Sequence, residues 1–122
     1  MIEELVTLET AKLLKEKGFN KFCSFAYIDE YCNLMSVHTT NSLIDKMGLG
    51  YSAPNQSFAQ KWLRQEKNLH IEISYMYGNY WIYDILTIPE HDLVGLSDRP
   101  IIRYETYEEA LEAGIFEALK LI

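Results

Sequence analysis

A chain of 122 residues, 48% hydrophobic and 24% charged, has the length and balance of one folded domain over 1–122 and is too apolar for disorder. A formal charge of −7 argues against broad contact with a phosphate backbone, where Lys and Arg must displace counterions. No run approaches the ~18 apolar residues of a membrane span, and the acidic start MIEELVTLET lacks a signal-peptide hydrophobic region, so a cytoplasmic chain with reduced Cys23 and Cys32 is expected.

The first predicted element is a helix from about Leu8 to Lys17, with Thr7 as N-cap. Gly18 stops it. With Gly18 left-handed, Phe19 and Leu14 make the hydrophobic contact of a Schellman ending, and Leu8, Ala11 and Leu14 form the inward stripe. Phe22 to Ile28 reads as a strand, with Phe25 and Tyr27 on one face and Ser24 and Ala26 on the other. Leu34 to His38 carries a weaker strand pattern, and Asn41 to Gly50 a short helical turn ended by Gly48.

A second long helix is expected to begin near Pro54, capped by Ser52 or Ala53, with Phe58, Ala59, Trp62 and Leu63 inward and Asn68 as a left-handed stop. Lys61, Arg64 and Lys67 form a basic edge on its exposed side. Leu69 to Tyr77 and Tyr80 to Leu86 then read as a hairpin closed by a type II′ turn at Gly78-Asn79. That two-residue loop pairs Tyr77 with Tyr80, Tyr75 with Ile82, Ile73 with Asp84 and Ile71 with Leu86, a core face on which Asp84 is the polar intruder. It pairs Met76 with Trp81, Ser74 with Tyr83, Glu72 with Ile85 and His70 with Thr87 on the other face.

From Thr87 to Pro100 the residues Pro89, Gly95, Ser97, Asp98 and Pro100 mark a loop, and Ile101 to Tyr104 reads as a short edge strand. The final helix opens on Thr106-Tyr107-Glu108-Glu109, a capping box, and runs to the C-terminus with Leu111, Ile115, Ala118, Leu119 and Ile122 on one stripe. Gly114 on that helix allows a close backbone approach. The fold class is α+β, a small and mainly antiparallel sheet of three to five strands with about three helices packed on one face.

Motifs for chemistry are scarce. His38, His70 and His91 share no H-x-x-x-H frame and the cysteines no C-x-x-C spacing, so no metal is expected. Gly48-Leu49-Gly50 lacks the flanking strand and helix of a dinucleotide site, and no cofactor is expected. The candidate binding residues are Tyr51 and Gln56 in the loop before the second long helix, with His70, Glu72, Trp81 and Tyr83 on the second hairpin face. The plain alternative for that face is cover by a loop or a second subunit.

Four stretches resemble one group of proteins: LETAKLLKEKGF at Leu8–Phe19, YSAPNQ with AQKWLR between Tyr51 and Arg64, HIEI at His70–Ile73, and YEEALEAG at Tyr107–Gly114. The group comprises small uncharacterised proteins of phages and mobile elements of gut Bacteroides and related bacteria. The resemblance covers roughly half of the chain and implies an origin in a host bacterial cytoplasm, with no activity or catalytic residue attached. With it, the leading expectation is a non-enzymatic binding or protein-interaction domain, whose partner is a protein, a small-molecule ligand or a second copy of the chain. One alternative is a small enzyme or nucleotide-handling protein in which His70, Glu72 and Tyr83 converge with Tyr51. Another is an acidic mimic or antagonist of a host protein, with the carboxylates Glu105, Glu108, Glu109, Glu112 and Glu117 clustered at the last helix.

Overall fold

The structure is a computed structural model that describes residues 4–29, 31–94 and 102–122. Its class is α+β, with four helices and two antiparallel three-stranded sheets among the described residues. The chain divides into two compact units, Met1–Asn55 and Gln56–Ile122. The strands therefore form two sheets, where the sequence pattern led to one. The cause is local: among the described residues the first three strands pair with one another before the second unit begins.

In the first unit, α1 spans Leu8–Glu16, β1 Cys23–Ile28, β2 Asn33–Thr39, α2 Asn41–Met47 and β3 Gly50–Ser52. Thr7 caps α1 by accepting from the Thr10 N–H. At the other end the Phe19 N–H donates to the Leu14 carbonyl at 2.9 Å past a left-handed Gly18, which is the expected Schellman closure. Gly48 likewise ends α2 at φ 140°. The sheet order is β2-β1-β3, and a register shift between Cys23 and Phe25 lets Cys23 join Ala26 among the buried residues. Ala26 pairs with Met35 on one side and Ser52 on the other. The core comprises Val6, Ala11, Leu14, Phe19, Cys23, Ala26, Ile44 and Ala53.

In the second unit, α3 spans Gln56–Glu66, β4 Leu69–Met76, β5 Tyr80–Thr87, β6 Leu93–Val94 and α4 Tyr107–Lys120. Helix α3 starts two residues beyond Pro54, whose carbonyl instead accepts from the Val6 N–H at 3.0 Å within the first unit. Asn68 stops α3 at φ 56°, as its position implied. Strand β6 interrupts the expected loop by pairing with Ile85 and Leu86 of β5. The breaker residues Gly95, Ser97, Asp98 and Pro100, and Ile101, lie outside the described residues.

The hairpin register differs from expectation by one residue. Tyr77, Gly78 and Asn79 form a three-residue turn, with Gly78 at φ 106° and Asn79 at φ 64°, closed by the Asn79 N–H on the Met76 carbonyl at 3.2 Å. Met76 therefore pairs with Tyr80, Tyr75 with Trp81, Ile73 with Tyr83 and Ile71 with Ile85. Because side chains alternate with a period of two, the one-residue change moves every β5 side chain to the opposite face relative to β4. Asp84 leaves the core face and stands opposite Glu72, while Tyr83 and Ile85 enter the core with Ile71.

Helix α4 closes this core. Thr106 caps it by accepting from the Glu109 N–H at 3.0 Å, and the Glu109 carboxylate reaches back to the Glu105 N–H at 3.3 Å. Its buried stripe is Ala110, Leu111, Gly114, Ile115, Ala118 and Leu119, whereas Ile122 is exposed. A Cβ at Gly114 would stand 2.7 Å from Ile71 Cγ2 and 3.2 Å from the Tyr83 ring, so glycine is what lets helix and sheet meet.

Candidate functional site

The corrected register redistributes the candidate residues. Tyr83 is only 4% exposed and packs beneath α4, a core position. Trp81 shares its face, being paired with Tyr75, two positions along from the Ile73–Tyr83 pair. His70 and Glu72 project from the opposite face, beside Leu86 and Asp84. The hairpin thus divides between two faces the four residues that were expected to share one. The His70 Nδ1 atom is buried and meets no hydrogen-bond partner among the described residues. Gln56 is a structural tie: it is buried and its amide donates to the Glu108 carbonyl and to Glu112 Oε1, both at 3.0 Å, fastening α3 to α4. Tyr51 belongs to the first unit, where Lys12 and Lys15 place their ammonium groups 5.7 and 5.2 Å from its ring centroid. Lys15 also bonds Asp45 and the Gly50 carbonyl, so this cluster binds α1 to α2 and β3.

The arrangement that does gather exposed rings is a row at the turn end of the second sheet. Tyr75 and Trp81 lie with centroids 4.8 Å apart, and Trp81 meets the Tyr107 ring edge-on at 5.5 Å. Tyr75 is 57% exposed and Tyr107 40%, with Trp81 half-buried between them. Both spacings fall in the range where aromatic pairs attract. The row is held from below. The Trp81 N–H donates to the Tyr104 carbonyl at 2.8 Å and the Tyr104 N–H to the Trp81 carbonyl at 3.0 Å, which extends the sheet by one bridge. The Tyr104 ring in turn lies 6.1 Å from that of Tyr83.

At its outer end the row reaches an open cleft of about 500 Å³ lined by Tyr75, Met76, Tyr77, Gly78 and Asn79. The Tyr75 hydroxyl bonds the Asn79 side-chain oxygen at 2.8 Å, fixing one wall, and the Tyr77 side chain stands fully in solvent. No family model matches the chain. No curated protein and no solved structure matches it either.

The described residues contain no group of three or more His, Cys, Asp or Glu side chains placed to hold a metal ion. No helix among them is long and apolar enough to cross a membrane. Titration is perturbed at Cys23, where burial pushes the thiol up to about 11 and the neighbouring Ser52 hydroxyl offsets part of the effect. The neutral thiol donates to the Lys21 carbonyl at 3.6 Å, so Cys23 is a poor nucleophile and a core residue. At the β1–β2 turn the Asp29 carboxyl is held below its ordinary value, first by the Asn33 amide at 3.0 Å and next by the Tyr31 N–H at 2.8 Å.

Sequence reasoning missed Tyr75 and Tyr107. Both were legible as aromatics, but alternation along β4 put Tyr75 on the core side with Ile71 and Ile73, and the assumed two-residue turn put Trp81 on the other side, so the pair went unseen. The available signal was Asn79, a residue that tolerates a left-handed conformation and so permits a longer turn.

Proposed function

We propose that this chain is a non-enzymatic binding module, of phage or mobile-element origin and acting in a bacterial cytoplasm as a monomer or a homo-oligomer. It takes its ligand on the row Tyr75, Trp81 and Tyr107. The observation that carries the reading is this row of three rings, two of them exposed, on a backbone held by sheet and bridge hydrogen bonds. Large amphipathic rings fixed before binding gain contact area at little cost in side-chain entropy. The ligand class that fits is a flat or apolar group, on a protein segment or a small molecule, laid across Tyr75 and Tyr107 with one end in the cleft beside Tyr77.

The enzymatic alternative draws no support from the hairpin, since His70 and Glu72 project from one face and Tyr83 from the other. The acidic-mimic alternative is weakened by local engagement of the α4 carboxylates: Glu109 caps the helix, Glu112 accepts from Gln56 and Glu117 pairs with Lys120 at 3.1 Å.

Affinity capture from a bacterial lysate tests the proposal, comparing the native chain with a Tyr75→Ala/Tyr107→Ala variant and identifying released proteins and small molecules by mass spectrometry. Both side chains are exposed, so the variant is expected to keep its far-UV spectrum and lose the captured ligand. Equal capture by the two chains would place binding elsewhere.

A further inference from the structure

The charge around the ring row is of one sign. Strands β4 and β5 contain no Lys or Arg, and neither does the stretch 104–119, which carries Glu105, Glu108, Glu109, Glu112 and Glu117. Glu109, Glu112 and Glu117 are engaged within the unit, whereas Glu105 and Glu108 flank Tyr107 in the chain and are exposed. The positive end of the α4 dipole is offset by Glu108 and Glu109 in its first turn.

The rings themselves discriminate among ligands. Trp81 is tilted 53° from Tyr75 and 86° from Tyr107, so the row is an angled wall. An uncharged flat group lies against one plane of such a wall at a time. A cation is attracted by the negative face of each ring within about 6 Å of its centroid. With neighbouring centroids 4.8 and 5.5 Å apart, one cation can reach two rings together. The same hairpin already accepts such a group on its other face, where the Arg103 guanidinium rests 4.5 Å from the centroid of the Tyr80 ring.

We propose that the row Tyr75, Trp81 and Tyr107 binds the guanidinium of an arginine on an extended segment of a basic protein, with Glu105 and Glu108 supplying the countercharge. Guanidinium is favoured over ammonium by hydration and shape. It is planar, stacks on aromatic faces and is held less firmly by water, so it gives up less on reaching an open ring surface. Its methylene stem is apolar, and the cleft of about 500 Å³ beside Tyr75 and Tyr77 leaves room for that stem and the adjoining backbone. The inference rests on the ring row being the binding surface and adds the charge of what it binds.

Titration of the full chain with acetyl-Gly-Arg-Gly-amide at low salt, followed by proton NMR of the peptide, tests it. Seating over the rings should move the arginine side-chain signals upfield through ring currents, with saturation. The same peptide with citrulline, a neutral isostere, in place of arginine is expected to bind about tenfold more weakly, and the lysine peptide severalfold more weakly. Glu105→Gln/Glu108→Gln should weaken the arginine peptide about threefold and flatten its salt dependence, leaving the citrulline peptide unaffected. Equal binding of arginine and citrulline peptides to the native chain, lost in Tyr75→Ala/Tyr107→Ala, would overturn the inference while upholding the ring row as a binding surface. Arginine-selective binding that persists in that double variant would put the cation elsewhere and overturn it as well. An arginine peptide whose signals do not move at millimolar concentrations also sinks the inference, and capture from a lysate then decides the ring row by itself.

Discussion

Asn41 shows how much a single side chain can hold. It is buried, its amide donates to the Phe19 carbonyl at 2.7 Å and its oxygen accepts from the Ser52 N–H at 2.9 Å, so it joins the end of α1 to β3. Asn41→Leu would remove both bonds and leave the Ser52 N–H without the Asn41 acceptor in the core. The expected loss is about 2–3 kcal/mol by urea unfolding, because a buried donor or acceptor without a partner costs its full desolvation. Gly114→Ala gives a second, opposing balance. Alanine gains roughly 1 kcal/mol of helix propensity, but its methyl would press on Ile71 Cγ2 at 2.7 Å, and overpacking costs about 1–3 kcal/mol. A net destabilisation is expected, and an unchanged or raised urea midpoint would show that Ile71 yields. Cys23 supplies a pH dependence. Its folded thiol keeps its proton up to about 11, whereas an unfolded one releases it from about 9.0, so folding favours the protonated form. The contribution is complete below pH 9.0 and is lost as pH rises toward 11. Cys23→Ala should flatten that part of a stability–pH curve, and parallel curves for the two chains would assign the slope to other groups.

At the scale of the element, what could be read in the sequence followed from backbone chemistry with few solutions. The Thr7 and Thr106 caps, the Gly18 closure with Phe19 on Leu14, the Asn68 stop and the close approach at Gly114 each rest on a residue type that suits one local geometry. The hairpin failed at its turn. Gly78-Asn79 supports a two-residue loop, yet two consecutive positive φ angles within Tyr77-Gly78-Asn79 close it as three, and the alternation of β5 is too even in apolar character to object. With Tyr80, Trp81, Ile82, Tyr83, Ile85 and Leu86 in one strand, both faces are apolar enough to be the core, so composition could not choose between registers. The same error displaced the candidate site, because membership of the ring row depends on which side chains share a face. Mutation separates the two registers. Tyr83→Ala is expected to cost about 3–5 kcal/mol, as for a large aromatic removed from a core, and Ile82→Ala clearly less. The reverse order in urea unfolding would restore the two-residue turn.

For the whole molecule, the division at Asn55 matters most. Each unit has a core of its own: Leu14, Phe19, Ala26 and Ile44 in the first, and Leu63, Ile71, Tyr83, Ile85, Ile115 and Leu119 in the second. Each is also shorter than the ~70–80 residues below which one core supplies only modest stability. The sequence gives no Pro- or Gly-rich linker at this point, and the boundary falls between Asn55 and the first residue of α3, where composition does not change. Two separate cores imply two unfolding steps, and the placement of tryptophan makes them distinguishable. Trp62 and Trp81 both lie in the second unit, so tryptophan fluorescence reports that unit alone, while far-UV ellipticity reports the helices and strands of both. The first unit has the smaller core side chains, several of them alanine or cysteine, and its edge strand β2 is largely exposed. It is expected to lose structure at lower urea, so the ellipticity midpoint should fall below the fluorescence midpoint. Asn41→Leu, which acts only in the first unit, should widen the gap by lowering the ellipticity transition alone, whereas Tyr83→Ala should narrow it. Transitions that coincide in the native chain and move together in both variants would mean that the two cores unfold as one cooperative structure.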